Sequence, residues 1–260
     1  MSQYKPRFVI TDKIKRLKGQ IIKQGKKGSF IHATNQMYHS ANLRDVCSSL
    51  AIENASFVLT LPQVTEIISG DYTHYNEEDI RAVQNAYKAY SAIYHRQYES
   101  IDVYSIAEML GAHKTFMINL TNEAGCYRSA GIASAGQNQR NKTSMAKLVS
   151  SRVDDLFAWL KTSNEDMLVK SCIFHHELMS IRPFSDGNGL VTRMWTTLLY
   201  MQAWFMPIRM PLWGVVQERR QEYHDVLAIP DKADSSTKFI DFMLQAISDA
   251  RAEFEKDPTR

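Results

Sequence analysis

Apolar residues recur every three or four positions through most of this chain, and that rhythm commits it to helices. Over 76–98 the stripe is Ile80, Val83, Tyr87, Tyr90 and Tyr94, behind Asn76 as N-cap and a first turn of acids. Residues 105–119 repeat the pattern with Ile106, Met109, Leu110, His113 and Met117. Thr60 and Pro62 open a short helix that Gly70 stops. The period returns over 148–161 and 165–181, and a last helix from about Ser236 lines up Phe239, Phe242, Met243, Ala246, Ile247, Ala250 and Phe254, with 235–237 as its cap. One stretch breaks the rhythm. Residues 122–145 are rich in Gly, Ala, Ser and Asn, and they read as a β-hairpin or extended flap. The expected class is all-α with one small β element.

A basic, glycine-broken loop at 23–30 sets off an N-terminal extension, 1–30. The 260 residues suit one large domain with a small appendage. A net charge of +3 is too small to argue for nucleic acid or an acidic membrane surface. Cys47, Cys126 and Cys172 form neither a disulfide framework nor a CxxC pattern. The N-terminus has no apolar signal core, and no apolar run reaches the roughly 20 residues of a bilayer span. A cytoplasmic location is the expectation.

The stretch 181–193, IRPFSDGNGLVTR, carries the chemistry. One helix ends near Ser180 and another begins near Asn188. Gly187 and Gly189 allow positive φ and close backbone approach between them. The first N–H groups of the second helix then form an anion nest, with Asn188 as an added side-chain donor. Asp186 is the hard oxygen ligand that Mg²⁺ takes beside substrate phosphates. Arg193 follows Gly189 by four residues and so overhangs the nest. Phe184 is expected to pack inward. A plain glycine turn between two helices is the alternative on these residues alone.

The segment FHHELMSIRPFSDGNGLVTRMW, 174–195, resembles the core of Fic-domain proteins, whose signature is HxFx[DE]GNGRxxR. The family is mainly α-helical and typically transfers AMP from ATP to a hydroxyl of a target protein. The resemblance implies Mg²⁺ at Asp186, nucleotide phosphates at Gly187, Asn188 and Gly189, and a phosphate clamp at Arg193. Ser49, Glu53 and Asn54 match the family's inhibitory motif, [ST]xxxE[GN], within a segment at 48–60. Tyr127, Arg128 and Ser129 match the flap that presents the target. Residues 214–254 resemble the family's C-terminal helices. The Fic domain would then span 31–260, with ATP and Mg²⁺ as cofactors and a protein target at the flap. No nucleic-acid or membrane partner is expected, and a homodimer stands as one assembly that the family allows.

Two positions depart from the signature. Arg182 stands at the catalytic histidine, and Leu190 stands at the first arginine. Arginine has no acceptor lone pair and stays protonated, so it cannot take a proton. Losing a general base costs about 10²–10⁴ in rate. Arg182 instead adds positive charge near the phosphates and can stand in for the phosphate donor that Leu190 does not supply. The expected protein binds nucleotide and transfers AMP weakly or not at all. The alternatives are a ligand-free interaction module using the flap, and an active transferase whose base is Glu177 or His176. Glu53 pairing with Arg193 is either regulation or a simple tie between two helices. His175 and His176 lack a metal-ligand spacing, and Tyr87, Tyr90 and Tyr94 read as core and surface filler.

Overall fold

The computed structural model describes residues 4–25, 34–54, 59–94, 100–129, 146–203, 210–228 and 236–256. Eleven α-helices run through these residues: α1 (Asp12–Gly25), α2 (Asn35–Glu53), α3 (Leu61–Ser69), α4 (Glu77–Tyr94), α5 (Ile106–Met117), α6 (Val149–Thr162), α7 (Met167–Ile181), α8 (Asn188–Gln202), α9 (Leu212–Glu218), α10 (Arg220–Leu227) and α11 (Thr237–Lys256). The ends lie where local chemistry puts them. Asn76 Oδ1 accepts from the Asp79 N–H at 2.8 Å at the start of α4. Gln63 Oε1 accepts from the Thr60 N–H at 2.9 Å at the start of α3, and Gly70 ends that helix at φ 97°. Ser236 takes the capping place before α11 and its N–H donates to the Arg7 carbonyl.

The expected β element is not seen among the described residues. Residues 122–129 form turns and bends, and 130–145 lie outside the described residues. In place of a strand ladder the described part of the flap has a turn bond from the Cys126 N–H to the Glu123 carbonyl and a main-chain bond from the Arg128 N–H to the Pro183 carbonyl, each at 2.9 Å.

Apolar side chains gather in two clusters. The first joins α2, α3, α4, α5, α6 and much of α7 and α8, around Val83, Tyr90, Phe116, Phe174 and Trp195. The second joins α1, α9, α10 and α11 to the start of α7, around Ile14, Trp213, Tyr223 and Phe239. Helices α7 and α8 feed both clusters. Every residue of α8 from Asn188 to Met201 is buried, the pattern of a helix enclosed on all sides. The loop joining α7 to α8 is therefore held at both ends by the most enclosed helices of the molecule. Among the described residues no helix is long and apolar enough to cross a membrane.

Candidate functional site

The α7–α8 loop is closed by its own asparagine. Asn188 Oδ1 accepts from the Phe184 N–H, and Asn188 Nδ2 donates to the Phe184 carbonyl, each at 2.9 Å. The Asn188 amide, expected as a ligand donor, is buried here and engaged in shaping the turn. Gly187 sits at φ 72°, where a Cβ would also strike Met117 Sδ at 2.6 Å. Gly189, in contrast, has no positive φ. Its requirement is space, because a Cβ there would lie 1.9 Å from Glu53 Oε2.

Phe184 does pack inward, fully buried and stacked on the His113 ring, with centroids 3.7 Å apart and planes 7° from parallel. His113 itself is a bridge that its place in an apolar stripe did not reveal. The Gly125 N–H donates to Nδ1 at 2.9 Å, so Nε2 carries the proton and donates to the Asp186 carbonyl at 3.1 Å. Burial lowers its pKa to about 4, against the opposing pull of the Asp186 carbonyl, so the ring is neutral near pH 7. The only hint in the sequence was polarity: a histidine on a core-facing stripe needs partners.

The nest at the start of α8 holds an internal anion. Glu53, the last residue of α2, accepts from the Gly189 N–H through Oε1 at 3.2 Å and from Arg193 Nη2 through Oε2 at 2.8 Å. Arg193 is fully buried. Its Nε donates to Ser49 Oγ at 2.7 Å and its Nη2 to the Ser49 carbonyl at 2.9 Å. Burial works to lower the Arg193 pKa, but the Glu53 carboxylate, with Tyr223 and Tyr90, outweighs it and the net shift is upward. The Tyr90 hydroxyl donates to Ser49 Oγ at 3.1 Å. Tyr90 thus joins this network, which its reading as filler missed. Asn54 follows as the C-cap of α2, its N–H donating to the Leu50 carbonyl at 3.0 Å.

Asp186 lies exposed on the loop, one oxygen accepting from the Gly187 N–H at 2.7 Å. Among the described residues no group of three or more His, Cys, Asp or Glu could hold a metal. One exposed carboxylate beside an anion nest still fits Mg²⁺, which takes few protein ligands and shares substrate phosphates. Arg182 is exposed and ends α7 in the left-handed region, at φ 49°. Leu190 is buried in the first core cluster. From the flap, Arg128 Nε donates to the Arg182 carbonyl at 2.7 Å, Tyr127 packs beside Phe184, and Ser129 donates to Glu123 Oε1 from its N–H and its hydroxyl. Burial, with the Asp154 charge, raises the Tyr127 pKa to about 12.

The remaining candidates lie elsewhere. The Tyr4 hydroxyl donates to Glu177 Oε2 at 2.6 Å, and His176 Nδ1 bonds Ser236 Oγ at 3.0 Å, so both side chains tie α7 to the N-terminal segment and α11. His175 engages both ring nitrogens in the core, with Thr196 and Tyr223. A cavity of about 230 Å³ behind α2 is lined by Arg44, Asp45, Cys47, Glu218 and Glu253, too acidic a set for a phosphate.

Residues 103–200 match the Fic/DOC family model. The chain is 34% identical to a Fic family protein from Desulfovibrio desulfuricans G20, whose crystal structure superimposes with a TM-score of 0.84 over 99% of this chain and 78% of that one. Fic-1 (aa134–508) from C. elegans shares the fold, at a TM-score of 0.70 and 17% identity over 94% of this chain and 73% of that one. In sequence, the Caenorhabditis elegans protein adenylyltransferase fic-1 is 28% identical over 137 residues, 51% of this chain. The chain spans only 25% of that relative's length. With its all-helical architecture, its GNG turn between two buried helices and this likeness over nearly its whole length, the chain belongs to the Fic/DOC family.

Proposed function

We propose that this chain is a nucleotide-binding Fic protein with weak or no AMP transfer, its phosphate nest closed by its own Glu53. The observation that carries the reading is the Glu53 carboxylate on the Gly189 N–H and Arg193. Donors that hold a carboxylate in a half-buried nest are equally suited to a phosphate. The name of the C. elegans relative, a protein adenylyltransferase, supports ATP as the nucleotide. Asp186 would hold Mg²⁺ with the phosphates, and the ion would neutralise phosphate charge. Arg182, exposed at the mouth of the loop, supplies positive charge but no proton acceptor. The flap around Tyr127, Arg128 and Ser129 would receive a protein target. In this reading 31–260 form the Fic domain and 1–30 an extension, whose α1 packs Ile14, Leu17 and Ile21 into the second cluster.

Calorimetric titration of ATP with and without Mg²⁺ tests it. Hydrogen bonds to a charged group are worth about 1.5–3 kcal/mol, so Glu53→Gly is expected to bind roughly ten- to a hundredfold tighter than wild type. No binding by either protein would falsify the reading and leave the ligand-free interaction module. Incubation with α-labelled ATP should leave the wild type faintly labelled at most. Strong label that disappears in Asp186→Ala would instead establish a transferase with another base.

A further inference from the structure

The carboxyl end of α2 is gripped from outside the nest. The last four carbonyls of a helix need partners from elsewhere, and a cation there is favoured by the helix dipole. Arg220, on α10, donates from Nε to the Ile52 carbonyl at 3.1 Å, one residue before Glu53. His224, one turn further along α10, lies against the same carbonyl. Burial and then the Arg220 charge lower its pKa, and the Ile52 carbonyl opposes them. Its Nε2 is buried with no hydrogen-bond partner among the described residues. Helix α10 is itself braced on α11. Arg219, which precedes it, forks onto Glu222, reaches Asp249 at 3.3 Å and sits 4.7 Å over the Phe242 ring. Tyr223 is fully buried against Phe239 and Phe242. A rigid support thus presents two side chains to the turn of α2 that carries Glu53.

We infer that Arg220, assisted by His224, is the positioning residue for Glu53: it fixes the last turn of α2 so that the carboxylate reaches the Gly189 N–H and Arg193. Arg220 acts through Glu53 and touches no ligand. The inference rests on the nest being the site of the proposed function, but its geometry is independent of any nucleotide.

Hydrogen exchange of the Gly189 amide, followed by NMR on the full chain without nucleotide, reads it directly. In Arg220→Met the Gly189 amide is expected to exchange about two- to fivefold faster, the scale of losing a cation at a helix terminus. Amides of α6 should keep their rates. Arg220→Lys, which keeps the charge, should restore part of the protection. In a Glu53→Gly background Arg220→Met should add nothing. An unchanged Gly189 rate in Arg220→Met, or an equal acceleration with Glu53 absent, overturns the inference. If Arg220→Met does not fold, His224→Gln replaces it with the same expectations. Faster Gly189 exchange together with failed nucleotide titration would overturn the proposed function and leave the role of Arg220 standing.

Discussion

At Arg182 the backbone is left-handed, which costs a non-glycine residue about 1–2 kcal/mol. Three bonds hold it there: its own N–H to the Leu178 carbonyl, Arg128 Nε to the Arg182 carbonyl, and the Arg128 N–H to the Pro183 carbonyl. Glycine would relieve the strain and cost roughly 0.5–1 kcal/mol in chain entropy. Arg182→Gly should therefore raise the melting temperature by about 2–3 °C, read by calorimetry. His113 gives the residue scale its pH dependence. Its pKa falls from 6.5 unfolded to about 4 folded, so the unfolded chain binds the proton more readily between those values. Stability is complete above pH 7 and falls as pH drops from 6.5 to 4, by roughly 3 kcal/mol from this group at about 1.36 kcal/mol per unit. His113→Gln should flatten that limb in urea titrations at stepped pH. An equally steep limb in the variant would assign it to other groups, among them the buried His175, whose pKa burial also lowers.

At the scale of the element, the joint between α7 and α8 separates the two substituted positions. Arg182 faces solvent and Leu190 faces the core. Arg182→His should leave stability nearly unchanged. Leu190→Arg forfeits a buried leucine, worth about 1.5–3 kcal/mol, and should lower the melting temperature by roughly 4–8 °C. Recovered AMP transfer is therefore best sought first in Arg182→His with Glu53→Gly, where α-labelled ATP is expected to mark the protein or its targets. Much of this element was legible in the sequence. The apolar period located α7 and α8, and the glycines located the turn between them. The distinct reasons for the two glycines were not legible, because Gly189 needs room for Glu53, a residue 136 positions away. Nor was the closure of the loop by Asn188, since an exposed and an engaged amide read alike in a sequence.

For the molecule as a whole, the pairings that periodicity had no means of showing include long-range ones. Tyr90 meets Ser49 across 41 residues, and Arg220 meets Ile52 across 168. Periodicity is a local signal and carries no record of such pairs, whereas the all-helical class follows from local signals alone. A ligand that binds only the folded chain stabilises it by about 2.7 kcal/mol at a hundredfold excess over Kd. Thermal melts of Glu53→Gly with saturating ATP and Mg²⁺ should thus rise by roughly 5–10 °C, and wild type at the same concentration by less. The difference has a simple origin in the tether between Glu53 and α8. A carboxylate that the chain itself delivers to the nest competes at a fixed effective concentration, which no dilution of the protein can lower. If the nest is internally filled about 99% of the time, an outside anion meets an affinity reduced about a hundredfold. On the proposed function, half-occupancy would then need about a hundredfold more external ligand, and that ratio would not change with the concentration of the protein.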